Sequence, residues 1–132
     1  MKDYSELFVP GETDEAAVKR LVGVMKALRE PGGCPWDREQ THETLKRPMI
    51  EEAYEVIQAI ENKDDANLRE ELGDVLLQVV MHSRIAQEEG RFTLKEVANE
   101  ECEKMIRRHP HVFQAPVEGI YREENGIPWN RA

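Results

Sequence analysis

The chain of 132 residues has only two cysteines, Cys34 and Cys102, and they are too far apart to form a paired motif. A disulfide scaffold is therefore excluded, and this cysteine usage is typical of a protein in a reducing compartment. No hydrophobic run reaches the length of a membrane span. Residues 1–13 are too polar for a signal peptide. We expect a cytoplasmic protein that does not associate with a membrane.

Basic residues are also scarce relative to acidic ones. The chain has 18 Lys and Arg against 27 Asp and Glu, which gives a formal net charge of −9. Nucleic acids and membrane surfaces are themselves anionic, so this balance argues against a general binder of either. A small phosphate ligand is still compatible with the charge, provided that a metal ion or a local basic patch mediates its binding.

No segment alternates apolar and polar residues with a period of two, so no strand is predicted. Four segments instead have apolar residues at helical spacing. They begin at Thr13 or Asp14, at Thr41 or Thr44, near Asn67 and at Thr93. Short polar links between them favour antiparallel neighbours. The sequence therefore predicts an all-α fold, an antiparallel bundle of about four helices.

Three local features complete the predicted organisation. Residues 29–48 are dense in Pro and Gly and are predicted to be a loop, with Pro48 tolerated only in the first turn of the second helix. On the fourth helix, the residues predicted to face inward are Leu94, Val97, Ala98, Cys102 and Met105. From His109 on the chain is predicted to be irregular. The predicted domains are an N-terminal tail (1–13), a helical domain (14–113) and a C-terminal tail (114–132).

The third predicted helix is apolar over most of its circumference around "VLLQVVM" (75–81). Such a helix is usually buried on several sides. Since four helices cannot cover it comfortably, we expect a homodimer or a higher homo-oligomer.

Acidic residues interrupt the apolar faces of the second and third helices. Glu52 and Glu55 lie on the shoulder of one apolar stripe, with Glu51 further towards solvent, and Glu71 and Asp74 share a face with core residues of the other. If the helices are antiparallel partners, these two pairs converge. Clustered carboxylates repel and lose hydration, and a hard divalent cation compensates both costs. The pattern predicts a Mg²⁺ site, with Mn²⁺ as the alternative ion; the competing interpretation is a solvated acidic face.

A di-iron carboxylate bundle is a second metal interpretation. That design requires a Glu-x-x-His motif on each of two helices. The sequence offers one candidate, Glu39 to His42, at or before a helix start and without a second copy. The di-iron interpretation is therefore not favoured.

Four blocks of sequence, taken in order, resemble a known family. "EEAYE" (51–55) followed by "ELGD" (71–74) is similar to the EExxE…ExxD signature of the MazG family of nucleoside triphosphate pyrophosphohydrolases. "GGCPWDREQTHETL" (32–45) and "KMIRRHPHVF" (104–113) resemble two further blocks of that family. The resemblance covers about residues 14–113.

The resemblance implies an all-α, dimeric, Mg²⁺-dependent enzyme that hydrolyses a nucleoside triphosphate to the monophosphate and pyrophosphate. It also implies a set of site residues. The metal would be held by Glu52, Glu55, Glu71 and Asp74, and the triphosphate contacted by Lys104, Arg107 and Arg108. The competing interpretation of the basic row is a C-terminal turn that complements the helix dipole.

The mechanism that we expect is attack of water on the α-phosphorus, with Glu51 or Glu52 orienting or deprotonating that water. Trp36 either stacks on the base or packs against the core, and packing is the prediction favoured by its position in a turning loop.

The sequence departs from the family pattern in two ways. Many members carry two such domains in tandem and this chain has one, and the residues after Phe113 do not match the expected continuation. The chain is either a natural single-domain form or a piece of a tandem-domain protein. The alternative function is a catalytically weak domain that binds metal and nucleotide, or a partner protein.

Overall fold

The computed structural model describes residues 2–113, and within them all regular structure is helical, which confirms the predicted all-α fold. Among these residues no helix is both long enough and apolar enough to cross a membrane. The chain divides after Arg91 into two compact units, Met1–Arg91 and Phe92–Ala132. This division falls inside the predicted domain 14–113, whose boundaries remain a prediction. The helices are α1 (Asp14–Arg29), α2 (Pro35–Arg38), α3 (Lys46–Glu61), α4 (Asp65–Glu88), α5 (Leu94–Arg108) and α6 (Pro110–Phe113).

The N-terminal segment is held on α1. Of the two predicted capping residues, Thr13 and Asp14, it is Thr13 that caps α1: its side-chain oxygen accepts a hydrogen bond from the backbone N–H of Ala16 at 3.1 Å. Ahead of this cap, Ser5–Phe8 forms a 3-10 helix that contacts α1. Arg20 fixes it by donating from Nε to the backbone oxygen of Leu7 at 2.7 Å. The sequence did not predict this short helix.

Helix α4 is the centre of the first unit, because it contacts both α3 and α1. Residues 62–64 turn the chain between α3 and α4, and Asp64 caps α4 by accepting from the backbone N–H of Asn67. These contacts agree with the predicted packing of the second and third helices. The buried apolar side chains come from α1, α3, α4 and the residue before α3: Met25, Leu45, Ala59, Val80, Met81, Ile85 and Ala86.

Two details between residues 29 and 48 differ from the prediction. Pro35 begins the short helix α2, where its missing N–H has no cost, so this stretch is not entirely a loop. Helix α3 begins at Lys46 rather than at Thr41 or Thr44, because these two threonines bond to each other in a turn. Pro48 does lie in the first turn of α3, as predicted.

Arg29, the last residue of α1, joins three parts of the first unit. Its side chain is 7% exposed and forms a two-fold ion pair with Glu88 on α4, at 2.9 and 3.1 Å. Its Nη1 donates to the backbone oxygens of Asp37 and Gln40, at 2.6 and 3.1 Å. The guanidinium therefore fixes the segment around α2 against the two long helices.

A pair of histidines connects the segment before α3 to α4. The rings of His42 and His82 stack with centroids 5.0 Å apart and an interplanar angle of 4°, and their Nδ1 atoms are 2.7 Å apart. One Nδ1 therefore donates to the other. Burial lowers the pKa of His82, and the charge of the neighbouring His42 lowers it further. These contacts hold the end of the Pro- and Gly-rich segment on α4.

The second unit begins with a capping box. The Thr93 side chain accepts from the Glu96 backbone, and the Glu96 carboxylate accepts from the Thr93 backbone. The predicted inward face of α5 is only partly covered among the described residues: Leu94 and Met105 are half-buried, but the prediction is wrong for Val97, Ala98 and Cys102, which are exposed. Spacing places residues on one face, but only neighbouring elements decide which face is covered.

The chain after His109 is also more regular than predicted. Pro110–Phe113 forms the short helix α6, so the expectation of irregular structure is wrong for these four residues. Pro110 is suited to open a helix because its φ angle is already helical. The predicted C-terminal tail, 114–132, lies outside the described residues.

Candidate metal centre

Helices α3 and α4 bring three carboxylates together. Glu52 comes from α3, and Glu71 and Asp74 come from adjacent turns of α4. One oxygen from each lies within 4.8 Å of the other two. Glu71 is buried, with 7% of its surface exposed, and Glu52 and Asp74 are half-buried. The predicted convergence of acids on these two helices is therefore present in the fold.

The proximity of the carboxylates perturbs their ionisation. Burial raises the pKa of Glu52, and the Asp74 carboxylate raises it further through its charge and a hydrogen bond. Burial also raises the pKa of Glu71, with additional contributions from the charges of Glu55, Asp74 and Glu52. Both effects disfavour the ionised forms, as expected where negative charges are crowded and lose water. The cluster is therefore a place where a positive charge is strongly favoured.

The other two predicted acids lie at the edge of this cluster. Glu55 is exposed and outside the group of three, although its charge acts on both Glu52 and Glu71. Glu51 is exposed, as predicted. An open groove on α3 is lined by Glu51, Glu52 and Glu55 together with Ile50 and Tyr54. A ligand in this groove would lie directly beside the cluster.

The donor set fits a hard divalent cation. Carboxylate oxygens are the ligands that Mg²⁺ and Mn²⁺ prefer, and Mg²⁺ usually takes one or two carboxylates and keeps water in its remaining positions. Gln78 lies one turn beyond Asp74 on α4 and is 9% exposed, and its shielded Oε1 has no hydrogen-bond partner among residues 2–113.

The predicted phosphate and base contacts lie on other elements. Lys104, Arg107 and Arg108 are on α5, in the second unit, where Lys104 pairs with Glu101 at 3.0 Å and Arg108 is 8% exposed. Trp36 lies on α2 and is 69% exposed. The interpretation that Trp36 packs against the core is therefore wrong. Helix α2 begins at Pro35, and the segment is held by backbone contacts to Arg29 rather than by the indole ring.

Two features of the first unit, Gln78 and the pairing of His42 with His82, were not assigned from the sequence. The only signal for Gln78 is an amide between Asp74 and the apolar Met81 on one face of α4, and nothing in the sequence indicated its unpaired oxygen. The pairing of His42 with His82 joins residues 40 positions apart and has no sequence signal.

Comparison with known proteins shows which sequences this chain resembles. The model of the MazG nucleotide pyrophosphohydrolase domain matches residues 40–113. A protein from Thermotoga maritima named nucleoside triphosphate pyrophosphohydrolase/pyrophosphatase MazG is 59% identical over 95 residues, which cover 72% of this chain and 37% of that protein. The nucleoside triphosphate pyrophosphohydrolase of Escherichia coli is 50% identical over 97 residues, covering 73% and 37% respectively.

A third relative, the uncharacterised protein YabN of Bacillus subtilis, is 54% identical over 91 residues, covering 69% of this chain and 19% of that protein. The chain thus matches little more than a third of the length of the first two relatives and less of the third. The family match spans more than half of the chain and includes all three carboxylates of the cluster. The chain belongs to the MazG nucleotide pyrophosphohydrolase domain family.

Proposed function

We propose that this domain hydrolyses nucleoside triphosphates to the nucleoside monophosphate and pyrophosphate in the presence of Mg²⁺. The observation that carries this proposal is the group of three carboxylates from α3 and α4 within 4.8 Å of one another. Family membership supports it, because relatives carry this activity in their names. Water attacks the α-phosphorus, the bond from that phosphorus to the bridging oxygen breaks, and pyrophosphate leaves with that oxygen.

Glu52, Glu71 and Asp74 are the residues that would hold the cation, with Glu55 as a fourth ligand from the edge of the cluster. A bound Mg²⁺, or Mn²⁺, would supply positive charge to neutralise the phosphate oxygens. Glu51 or Glu52 orients or deprotonates the attacking water.

Contacts to the rest of the substrate are proposed for residues outside the cluster. Lys104, Arg107 and Arg108 bind the triphosphate, because guanidinium and ammonium groups pair well with phosphate oxygens. Trp36 stacks on the base, and its 69% exposure leaves the indole face accessible for this contact. We further propose that the protein is cytoplasmic and that nucleic acid is not one of its partners.

The test is pyrophosphate release from a panel of nucleoside triphosphates, measured on the full chain with Mg²⁺ and again with a chelator. We expect release with Mg²⁺ alone, and its loss in Glu71→Gln. Glu61→Gln, an exposed acid at the end of the same helix as Glu52, is the matched control and should keep the wild-type rate. Near-normal rates in Glu71→Gln would show that the assignment of the metal centre is wrong.

The same experiment separates the alternative function. A domain that binds metal and nucleotide without turnover would show calorimetric binding of a nucleotide with Mg²⁺ but no pyrophosphate release from any member of the panel. Binding and turnover use the same carboxylates, so only the product assay distinguishes the two.

We also propose that the domain is a homodimer through α3 and α4. The apolar residues of α3 extend beyond the face that contacts α4, and several are exposed: Ile50 71%, Tyr54 58%, Ile57 52% and Ile60 56%. On α4, Leu72 and Leu76 are also exposed, at 50% and 41%. A contiguous apolar surface is typical of a contact between subunits. Light scattering should give a dimer for wild type and a monomer for Ile57→Asp; a monomeric wild type at micromolar concentration contradicts the proposal.

A further inference from the structure

Residues 30–45 form the segment that carries Trp36. Arg29 binds backbone oxygens in the middle of this segment. The end of the segment is held separately, by the contact of half-buried His42 with half-buried His82 of α4. An imidazole nitrogen donates or accepts according to where the proton lies, so two histidines bond only if their protons are placed to match. The positions of these protons therefore decide how firmly the segment is attached.

Arg91, which follows α4 closely in the sequence, determines the proton position on His42. Its Nη2 contacts Nε2 of His42. A guanidinium group stays protonated and only donates hydrogen bonds, so this Nε2 is an acceptor and carries no proton. A neutral imidazole carries its one proton on the other nitrogen, which is Nδ1. Arg91 thus selects the Nδ1–H tautomer of His42.

The tautomer of His42 then determines that of His82. Their Nδ1 atoms are 2.7 Å apart whereas the ring centroids are 5.0 Å apart, so the two nitrogens lie on facing edges of the rings. Nδ1 of His42 donates, so Nδ1 of His82 accepts and the proton of His82 is on Nε2. Two hydrogen bonds therefore run from Arg91 through His42 to His82, and we name this row the histidine bridge. Both of its acceptors are unprotonated ring nitrogens, so the bridge requires two neutral rings.

The charges around the histidine bridge also favour neutral rings. Arg91 places a cation beside His42, and the carboxylate that pairs with Arg91 belongs to Glu89. Among residues 2–113 no carboxylate bonds to either ring. The other charged groups at this end of α4 bond to one another: Arg29, Arg84 and Glu88. A proton added to either acceptor nitrogen turns it into a donor that faces another donor, so protonation breaks one bond of the bridge.

His42 is linked to Trp36 through a short series of hydrogen bonds. Gln40 donates from Nε2 to the backbone oxygen of Trp36 at 3.2 Å, and its Oε1 accepts from Thr44 at 2.8 Å. The Thr44 hydroxyl oxygen accepts from the backbone N–H of Thr41, also at 2.8 Å. His42 lies inside the turn that these bonds close. A change in the position of His42 is therefore transmitted to the backbone that carries the indole ring.

We propose that three residues position the segment 30–45 for the nucleotide base: Arg91, His42 and His82. The histidine bridge holds the end of the segment against α4 and so sets the orientation of Trp36. This inference rests on the proposed function, in which Trp36 stacks on the base. The three residues act through the segment and do not contact the nucleotide. Protonation of the rings in mild acid releases the end of the segment, so nucleotide affinity falls in the pH range in which histidine titrates.

The proton positions are tested directly by NMR. Long-range proton–nitrogen spectra of the full chain at neutral pH show which ring nitrogen of each histidine is protonated. We expect the Nδ1–H tautomer for His42 and the Nε2–H tautomer for His82. Any other pair of tautomers overturns the proposal.

Two variants of His82 separate bonding from packing. His82→Leu keeps an apolar side chain and removes the acceptor, and His82→Asn keeps an acceptor because its amide oxygen occupies the position of Nδ1 along the side chain. His111→Leu is the control, because His111 is an exposed histidine on α6 in the second unit. Hydrogen exchange of the backbone amides of residues 34–45 is measured without nucleotide. Exchange should be about fivefold faster in His82→Leu and should match wild type in His82→Asn and His111→Leu.

Hydrolysis of ATP with Mg²⁺ gives the second measurement. A base contact is made equally in the ground state and in the transition state, so weakening it raises KM and leaves kcat unchanged. At neutral pH, KM should be about fivefold above wild type in His82→Leu and close to wild type in His82→Asn. At about pH 5 the wild-type KM should approach that of His82→Leu, because acid breaks the bond that this variant already lacks.

Wild-type exchange and wild-type KM in His82→Leu overturn the proposal. Equal losses in His82→Leu and His82→Asn also overturn it, because the ring would then serve packing. Faster exchange in His82→Leu with an unchanged KM overturns the positioning of the base. If ATP binds without hydrolysis, the proposed hydrolysis fails by itself, and the calorimetric Kd of ATP replaces KM in the same comparison. If ATP does not bind at all, the inference and the proposed function fail together.

Discussion

Replacing Asp74 by asparagine should change the stability of this domain in opposite directions with and without a cation. The replacement keeps the size of the side chain and removes one negative charge from a group whose oxygens lie within 4.8 Å of one another. At that separation, two unit charges repel by about 0.9 kcal/mol even at the dielectric constant of water. In a chelator, Asp74→Asn should therefore be more stable than wild type by about 1 kcal/mol, or roughly 4 °C in melting temperature.

The response to a cation should change in the other direction. A cation that binds only the folded state stabilises wild type by about 2.7 kcal/mol at a free concentration one hundred times its Kd. If the lost ligand weakens binding about a hundredfold, the same concentration stabilises Asp74→Asn by only about 0.4 kcal/mol. The shift in melting temperature should therefore fall from roughly 10 °C to roughly 2 °C.

Differential scanning fluorimetry over a series of Mg²⁺ and Mn²⁺ concentrations, with an EDTA baseline, measures both effects. Glu100→Gln is the control, because Glu100 is an exposed acid on α5 outside the cluster and should change neither quantity. An equal Mg²⁺ response in wild type and Asp74→Asn would refute the reasoning and would show that the acids form a solvated face.

Three further predictions concern Arg29, Glu88 and Glu52. Arg29→Met should destabilise the domain by about 3 kcal/mol in urea denaturation, since it removes a nearly buried ion pair and two bonds to backbone oxygens. Arg84→Met should cost less than about 1 kcal/mol, because Arg84 bonds the same Glu88 from a more exposed position; equal losses would contradict the role given to Arg29. Hydrogen bonds from Arg29 lower the pKa of Glu88 in the folded protein. Ionised Glu88 therefore stabilises the fold at pH values above its pKa in the unfolded chain, and this stabilisation should be lost as the pH falls through its pKa in the folded protein. The raised pKa of Glu52 has the opposite sign: its contribution in EDTA is present below the unfolded pKa and should be lost as pH rises through the folded value. Both signs are tested by measuring the free energy of unfolding against pH in EDTA for Glu88→Gln, Glu52→Gln and wild type, and comparing the three curves on their acidic side.

Local sequence determined the helices and several of their ends. Helical spacing of apolar residues predicted the four long helices, and Thr13 and Thr93 cap α1 and α5 as predicted. These features depend on residues within one turn of each other, so the sequence contains them directly. The helix starts were less accurate where polar side chains had another partner, as at Thr41 and Thr44.

The candidate site was predictable because each half of it is local. Glu71 and Asp74 are three residues apart on one helix face, and Glu52 interrupts an apolar stripe on another. The prediction that the two halves meet needed only one assumption, that α3 and α4 pack together. In the tertiary structure three carboxylates form the cluster and Glu55 lies at its edge. Whether a carboxylate joins the cluster depends on distances of a few ångströms, and the spacing of residues in the sequence does not determine these.

Burial was decided by tertiary structure alone. Periodicity assigns residues to a face of a helix, but it does not show which face another element covers. Cys102 and Trp36 are therefore exposed where burial was expected, and Gln78 is buried although it is polar. The sequence by itself determined which helices form and which acids share a face. Only the packing of α4 against its neighbours decided which side chains lose water, because desolvation depends on contacts between residues that are distant in sequence.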